Sequence, residues 1–484
     1  MSAPTVPGAT ASTPDTTDEG WTAAQVTALT VVAVLGVIVA LTTSLLVPIL
    51  PELAAQLGPS TQWLLTSTLL VGAVAVPVVG RLADLYGKRR MLVLAAAALT
   101  VGSLSCALSD TLPWLIVGRA VTGLSTAAIP LGISLIGTVL PAKRAGTGIA
   151  LVSATLGIGG ALGLPLAAFV AQHTDYHVLF WICVAGGAVA VAGIRAVLRE
   201  VPTVASGRMD LPGAVLLAAA LVSLLLPLAQ ASRWGWADPW TIGLLVLAAV
   251  LLVTFVLVER RTASPLVDMV TNARPALLLT NVASVCVGFA LFASLIGTAS
   301  YVQAPAASGY GFGSSVLASG LCLLPSGVAM ILLSPVSAKL SARFGPKVTL
   351  ALGAAVIAVG FLGRILFTGS FTEVVVFTTV AGAGTGIAYA AMPSLVLRAA
   401  PASELAAANG LNTLARSVGS SLASAVGGTL LAASTITLGT AVLPSLTAYR
   451  VLFAVCAGAA LLGAVIALLI PGVRAAAEPA PLAA

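Results

Sequence analysis

Charged and amide side chains are scarce in this chain, so those inside its apolar stretches are the first candidates for chemistry. Arg119 lies about 10 Å into a long apolar stretch, at 1.5 Å of rise per residue. A buried cation is costly unless it faces a cavity or a partner. Asn409, Asn412 and Arg416 recur at spacings of three and four, which places them on one helix face. We predict that Arg119 contacts substrate or handles protons, and that the face formed by Asn409, Asn412 and Arg416 lines a cavity on the substrate and proton pathway. The alternatives are an arginine satisfied by backbone carbonyls and water, and asparagines that hydrogen-bond a neighbouring helix.

A second group combines one acid with four cations in a short turn. Residues 80–90 read G-R-L-A-D-L-Y-G-K-R-R between two apolar stretches, with Asp84 as the acid. Gly80 and Gly87 permit close backbone approach or a tight turn. The cations are Arg81, Lys88, Arg89 and Arg90. Cations at the end of an apolar stretch are typical of a cytoplasmic membrane edge.

Composition identifies the environment in which these groups must work. The chain has 484 residues, of which 59% are hydrophobic and 8% charged, with a mean hydropathy of +1.10. A soluble domain of this length needs more charge on its surface, so the composition predicts a polytopic membrane protein. The net charge of +7 then reflects cytoplasmic loops rather than nucleic-acid binding. The five cysteines fall inside predicted spans and read as packing residues, and no spacing predicts a metal or cofactor site.

Fourteen apolar windows have spanning length. They cover 24–48, 62–80, 91–109, 112–139, 146–171, 178–198, 211–230, 239–258, 276–301, 315–337, 348–368, 373–397, 406–434 and 447–470. With the N-terminus inside, most cations fall on the cytoplasmic side, and the opposite side keeps Arg233 and Arg450, with Arg364 near it. The even number of spans places both termini in the cytoplasm. Residues 1–23 read as a disordered cytoplasmic tail, and 471–484 as a second tail.

The turn at 80–90 has a weakened copy 258 positions later. Residues 338–347 read A-K-L-S-A-R-F-G-P-K, in which Gly345 corresponds to Gly87 and Ala342 to Asp84. The offset exceeds six helices by about two, which predicts two six-helix halves, 24–198 and 276–470. The linker 199–275 would carry two extra helices. Twelve spans with an unrelated hairpin is the alternative topology.

The turn and its copy resemble the loop between the second and third helices of the major facilitator superfamily of secondary transporters. Fourteen spans resemble its drug:proton antiporter family in particular. This resemblance implies an all-α polytopic fold, with two six-helix bundles plus two central helices, that rocks about a midplane site. It also implies that Asp84 holds the outward-facing state by pairing with cations or a helix N-terminus. Protonation would then loosen the contact.

Two further spans carry family patterns. Arg119 is followed four residues later by Gly123, as in the family's fourth helix. The fifth span reads G-I-G-G-A-L-G-L-P-L-A-A and resembles the antiporter signature, with Leu164 interrupting the expected Gly-Pro pair. Its matching residues are Gly157, Gly159, Gly160, Gly163 and Pro165.

The first span departs from the family, whose members commonly read D-x-T-I-V-N-V-A-L-P there. Aligned on Leu50-Pro51, Thr42 replaces the aspartate. No Asp or Glu falls clearly at midplane, which puts the usual proton-coupling site in doubt. Glu52 is the outer proton-binding candidate, against the plainer reading of a solvated charge at a helix end.

Two histidines, His173 and His177, lie between the fifth and sixth spans. Histidine titrates near neutrality, so a proton relay is one reading and solvated loop residues the other. A metal site with Asp175 would lack a third strong ligand.

The sequence therefore predicts a secondary active transporter that exports small amphipathic drugs by proton antiport. A lipid, metabolite or siderophore transporter of the same fold is the alternative, because the first-span acid is missing. An enzyme is not expected, since the sequence shows no cluster of catalytic residues. The sequence also lacks the G-x-x-x-x-G-K-[ST] loop that would indicate ATP binding. The expected partners are substrate, protons and lipid, without nucleic acid. The expected setting is a bacterial inner membrane, with the chain as a monomer.

Overall fold

The computed structural model describes residues 21–203, 205, 207–439 and 441–471. It is built almost entirely from long helices, because a helix satisfies every internal backbone hydrogen bond within one segment, as a bilayer requires. The first eight are α1 (Ala23–Ser44), α2 (Leu46–Leu57), α3 (Trp63–Tyr86), α4 (Lys88–Ala107), α5 (Leu112–Gly123), α6 (Ala128–Val139), α7 (Ala142–His173) and α8 (His177–Val197). The rest are α9 (Leu211–Trp234), α10 (Pro239–Glu259), α11 (Met269–Asn272), α12 (Pro275–Gln303), α13 (Val316–Phe344), α14 (Pro346–Leu366), α15 (Phe371–Ala399), α16 (Leu405–Ala433) and α17 (Leu446–Leu469).

The predicted all-α membrane fold is confirmed. Among the described residues, 13 segments are long and apolar enough to cross a membrane, and each matches one predicted window. The remaining window, 406–434, corresponds to α16, a 29-residue helix that is less apolar than these 13 segments. That polarity comes from its serines and from the two asparagines and the arginine predicted to share one face, Asn409, Asn412 and Arg416.

Two predicted windows are interrupted in the structure. The first apolar stretch ends as α1 at Ser44, and a separate helix, α2, runs from Leu46 to Leu57. The fourth is α5 and α6 joined by a 3-10 turn over Leu124–Ala127. Hydropathy alone does not reveal such breaks, because residues on both sides of each break are apolar.

A short β-hairpin lies between α16 and α17 and was not predicted. Strand β1 (Thr435–Leu438) pairs antiparallel with β2 (Ala441–Pro444), with Thr435 opposite Pro444. The Tyr310 hydroxyl donates to the Pro444 carbonyl oxygen, which joins the hairpin to the loop before α13.

The helix pairs α7–α13 and α3–α16 join the first part of the chain to the last. Ser334 Oγ of α13 donates to the Ala150 carbonyl oxygen of α7 at 2.5 Å. The hairpin of α9 and α10 packs against α3 and α16, where Leu217 and Leu221 share an apolar cluster with Leu414. The division into halves at 24–198 and 276–470 stays a prediction, and the tails 1–23 and 471–484 lie almost entirely outside the described residues.

Candidate functional site

Asp84 joins the end of α3 to the start of α16. Its side chain is only 4% exposed, and its carboxylate accepts hydrogen bonds from the backbone N–H groups of Ala406 at 3.1 Å and Ala407 at 2.9 Å. The N-terminus of a helix carries unsatisfied N–H groups and a partial positive charge, so it favours a carboxylate. Of the two partners expected for Asp84, the structure therefore provides the helix N-terminus. Its switching role stays a prediction.

Gly80, one turn before Asp84, lets the two helices approach closely enough for this contact. A Cβ placed on Gly80 would lie 3.0 Å from the Ala406 carbonyl oxygen and 3.2 Å from the Ala407 Cα. Such distances are shorter than ordinary packing, so any larger side chain would separate α3 from α16. Gly410 of α16 permits the same close approach from the opposite side, because a Cβ placed on it would lie 2.9 Å from the Val76 carbonyl oxygen of α3.

The basic residues after Gly87 hold α4 against the end of α8. Gly87 has a φ of +108°, which suits glycine, and it ends α3 immediately before α4. The backbone N–H of Arg89 donates to Glu200 at 3.1 Å, and the Arg90 guanidinium lies 3.8 Å from the same carboxylate. Lys88 acts electrostatically on Asp84. We call this side of the bundle the cation-rich end.

Arg81, which also acts electrostatically on Asp84, lines a cavity of about 390 Å³ at the cation-rich end. The other lining residues come from the loops before α9 and after α10, from α11, and from the start of α16 with the turn that precedes it: Ala205, Ala263, Ser264, Pro265, Leu266, Asp268, Asn272, Ser403, Glu404, Ala407 and Ala408. Arg81 Nε and Glu404 Oε2 are buried without hydrogen-bond partners in the described part of the chain. Burial, and secondarily the charge of Asp268, raise the pKa of Glu404.

Arg119 is buried in α5. The residue is 2% exposed, and its Nε donates to the Leu64 carbonyl oxygen at 3.4 Å, while one terminal nitrogen has no partner among the described residues. The thiols of Cys106 and Cys183 are close enough to interact with it electrostatically. Thr68 binds the backbone of the same residue. Within the described residues, Arg119 thus has a backbone acceptor and no carboxylate partner, and its role in transport stays a prediction.

Thr42 and Glu52 are the two candidate residues from the first span. Thr42 is buried, and its hydroxyl donates to the Val39 carbonyl oxygen at 2.7 Å, within its own helix. Glu52 belongs to α2, and its side chain lies outside the described part of the structure. The proton roles predicted for these two residues stay predictions.

The polar face of α16 contacts α12. Asn412 donates to Asn281 Oδ1 at 3.0 Å and to Ser284 Oγ at 2.8 Å. Its own Oδ1 accepts a hydrogen bond from Arg416 at 2.8 Å, so one amide links the arginine to α12. Arg416 also lies over the ring of Tyr389 at 4.9 Å. These contacts match the helix–helix alternative, and the cavity-lining role stays a prediction.

Asn409 differs from its neighbour, since its amide donates to the Leu405 carbonyl oxygen of its own helix. The sequence analysis did not identify Asn281 and Ser284, although their spacing of three residues in α12 places them on one helix face.

The glycine-rich part of α7 serves close packing on two sides. A Cβ on Gly159 would lie 2.6 Å from the Val37 carbonyl oxygen, and one on Gly163 would lie 3.2 Å from that of Leu41, both in α1. Gly157 instead faces Met330 of α13. The remaining members of the set are Gly160, which approaches Ser44, and Pro165, whose nitrogen lies beside Gly320. Small residues at these positions let three helices share one narrow interface.

Arg364, expected near the outer boundary, lies in the last turn of α14 and is buried. It is 1% exposed, none of its three guanidinium nitrogens has a hydrogen-bond partner in the described residues, and it lies over Tyr301 at 4.9 Å and Phe453 at 4.7 Å. The aromatic rings supply the electrostatic partner that a carboxylate would otherwise provide. Apolar neighbours in sequence were the available signal for its burial.

His177 contacts Asp175 and Asp110 beside the start of α8, while His173 stacks on Phe169. The backbone N–H of His177, the largest cause, lowers the pKa of Asp175. No cluster of three or more metal-ligating side chains is present in the described residues.

A family model described as Major Facilitator Superfamily matches residues 32–321 and 287–484. An uncharacterized MFS-type transporter of Mycobacterium tuberculosis is 32% identical over 342 residues, which are 68% of this chain and 48% of that protein. The multidrug resistance protein Stp of Mycobacterium tuberculosis is 28% identical over 355 residues, 72% of this chain and 65% of Stp. The tetracenomycin C resistance and export protein of Streptomyces glaucescens is 30% identical over 314 residues, 64% of this chain and 57% of that protein. The matched region thus spans about half to two thirds of these relatives.

Solved structures share the fold at low sequence identity. The human organic anion transporter MFSD10 superposes with a TM-score of 0.65 at 16% identity, covering 92% of this chain and 99% of that one. The proton:xylose symporter XylE gives 0.64 at 13% identity, covering 92% and 96%. The helical architecture, the loop at 80–90 and these matches agree, and the chain belongs to the Major Facilitator Superfamily of membrane transporters.

Proposed function

We propose that the chain exports small amphipathic compounds from a bacterial cell by proton antiport. The observation that carries this is the Asp84 contact, which ties α3 to α16 at the cation-rich end and so closes one face of the bundle. A carboxylate is an apt group for a proton-linked gate, because protonation removes the charge that the helix N-terminus stabilises. The printed names of Stp and the tetracenomycin C protein support drugs or antibiotics as the cargo class.

Transport would proceed by alternating access. With α3 tied to α16 and α7 tied to α13 through Ser334, the substrate path opens at the end opposite the cations. Release of Asp84 would let the two halves rock and expose the path at the cation-rich end. That end faces the cytoplasm in our proposal, with both termini inside, because positive loops are retained there. The proposed unit is a monomer in the inner membrane.

The charges inside the bundle favour neutral or anionic cargo over lipophilic cations. Arg119, Arg364 and Arg416 are all buried, and none has a salt bridge to a carboxylate in the described residues. An uncompensated positive potential repels a cation and attracts an anion. Transport of a permanent cation as readily as its anionic analogue would contradict this preference.

A lipid, metabolite or siderophore transporter is the second candidate. Thr42 stands where the drug antiporters commonly carry an acid, and its hydroxyl is engaged within its own helix. A carrier coupled differently, or not coupled to protons, would have no need of that acid.

The deciding experiment uses inside-out vesicles with an imposed pH gradient and a pH-sensitive dye. A panel of cationic, neutral and anionic antibiotics is added to the wild type, Asp84→Asn and the control Asp238→Asn. Asp238 caps α10 at the other end of the bundle, and Asn also caps helices. Proton release that a compound triggers, and that only Asp84→Asn loses, would support antiport. If no compound of the panel triggers proton release from folded, correctly oriented wild-type protein, the result would favour the lipid, metabolite or siderophore transporter.

A further inference from the structure

The two extra helices bring two carboxyl groups together at the cation-rich end. Asp210 is the N-cap residue of α9, and Glu259 is the last residue of α10. Because the two helices form an antiparallel hairpin, these distant residues meet, and one carboxylate oxygen of each, Asp210 Oδ2 and Glu259 Oε1, lies against the same Cβ position on Gly213. Neither residue belongs to the loop at 80–90 or to any motif of the first or second half.

Glu259 is buried and Asp210 is half-buried, and one oxygen of each carboxyl group is buried without a hydrogen-bond partner in the described residues. Glu259 is 2% exposed, and its Oε2 accepts a hydrogen bond from the Val267 N–H at 3.4 Å. Asp210 Oδ1 accepts from the Gly213 N–H at 2.9 Å. The remaining oxygens, Glu259 Oε1 and Asp210 Oδ2, have no fixed donor among the described residues. A Cβ on Gly213 would collide with both of these oxygens, so they converge on a space that only glycine leaves open.

No cation neutralises the pair. Within the described residues, no Lys, Arg or His lies at salt-bridge distance from either carboxyl group. The nearby charged side chains are either exposed or directed elsewhere: Arg208, Arg260 and Arg261 are exposed, Arg81, Asp268 and Glu404 line the cavity, and Asp84 binds the start of α16. Two neighbouring carboxylates without a counter-charge repel each other, whereas one shared proton removes the repulsion and supplies the missing donor.

We propose that Asp210 and Glu259 bind one exchangeable proton between them, which makes the inserted hairpin a proton-binding element of this transporter. Its coupling to transport rests on the proposed antiport, whereas the binding itself does not. The site provides an acid pair at the cation-rich end of a chain whose first span carries Thr42 instead of aspartate.

The pair is connected to the gate through the loop after α10. Val267, which donates to Glu259, and Leu266 are buried against Ala73 of α3 and Leu414 of α16. Leu266 also lines the cavity that contains Arg81. Loss of the shared proton places a second negative charge beside this loop, and the resulting repulsion loosens its packing on the two helices that Asp84 joins.

Infrared difference spectroscopy of the full chain in lipid nanodiscs tests whether Asp210 and Glu259 bind a proton. The wild type should show a protonated carboxylic acid band at neutral pH that disappears as pH rises. Glu259→Gln and Asp210→Asn should each remove it, and Gly213→Ala should weaken it by separating the pair. Asp238→Asn, an acid removed from the opposite end of the same hairpin, should leave it unchanged. A band absent from the wild type, or retained in Glu259→Gln, would overturn the proposal.

Two further measurements separate this proposal from the proposed function. Replacing K⁺ with Na⁺ at fixed pH should leave the band intact, and its loss would identify a sodium site and overturn the proton assignment. In vesicles, Glu259→Gln should lose pH-driven transport while keeping substrate exchange without a gradient. Antiport by the wild type that persists unchanged in Glu259→Gln would overturn the coupling role. A band without any wild-type antiport would support the binding site and contradict the proposed function.

Discussion

Asp84 accepts a hydrogen bond of 2.9 Å from the backbone N–H of Ala407, which lies 323 positions later in the chain. This contact joins the second spanning helix to the thirteenth at the cation-rich end. It places a single ionisable group across the seam along which a rocking transporter must open.

Removal of the Asp84 charge should favour opening at the cation-rich end. Asp84→Asn keeps one acceptor oxygen but loses an interaction worth about 0.3–2 kcal/mol at a helix N-terminus. The open population should therefore rise by roughly 2- to 30-fold, at tenfold per 1.4 kcal/mol. The measurement is the labelling rate of a cysteine placed at Ser403, in a background without the native cysteines. Asp238→Asn should label like the wild type, and equal rates in all three proteins would contradict a gating role.

Gly80→Ala should have the same effect while leaving Asp84 in place. The added methyl group would lie 3.0 Å from the Ala406 carbonyl oxygen, so α3 and α16 must separate. Overpacking of this kind typically costs about 1–3 kcal/mol. Transport rate and Ser403 labelling are the readouts. The matched control is Gly146→Ala, because nothing lies within 4 Å of that Cβ position. An unaffected Gly80→Ala would show that the close approach is dispensable.

Asn412→Ala should be far more damaging than Asn409→Ala. Asn412 links Arg416 to Asn281 and Ser284, and its loss leaves a buried guanidinium without that acceptor. An unsatisfied buried polar group costs about 1–3 kcal/mol, and more for a charged one. Asn409 bonds only within its own helix, so its replacement should cost less than about 1 kcal/mol. Thermal unfolding in detergent compares the two, and similar losses would refute the bridging role.

Arg364 should tolerate methionine better than lysine. Its guanidinium has two aromatic partners and no hydrogen-bond acceptor in the described residues. Lysine is a compact, strongly hydrated cation that cannot stack as a planar group, so its burial here is costly. Methionine loses the cation–π contacts, worth roughly 0.5–2 kcal/mol each, but needs no solvation. The expected order of unfolding temperature is wild type, then Arg364→Met, then Arg364→Lys, and a lysine variant as stable as the wild type would contradict it.

Glu404→Gln should change the pH dependence of stability. Burial raises the pKa of Glu404, so the folded state holds its proton more tightly than the unfolded state does. As pH rises above the pKa that Glu404 has in the unfolded state, the unfolded state ionises first, and the free energy of unfolding therefore falls until the folded state ionises as well. The variant should be more stable than the wild type near pH 8 and should lose that advantage in acid. Unfolding temperatures measured across this range test the sign, and an advantage confined to low pH would contradict it.

The sequence by itself determined the membrane architecture. Apolar stretches of spanning length define helices because a bilayer offers no other partners for the backbone. Gly80 and the glycines of α7 could be identified as close-packing positions, because the absence of a Cβ lets any helix approach its neighbour closely. The common face of Asn412 and Arg416 followed from helical periodicity alone.

Only the tertiary structure decided which distant residues meet. Asp84 has neighbouring cations in sequence, yet it binds the N-terminus of α16, because folding brings that helix end against Gly80. Hydropathy placed Arg364 near a boundary, whereas aromatic rings from α12 and α17 enclose it. Asp210 and Glu259 read as separate helix-end charges until the hairpin pairs them. Local pattern fixes the helices and their polar faces, but the partner of each polar group depends on packing between segments hundreds of residues apart.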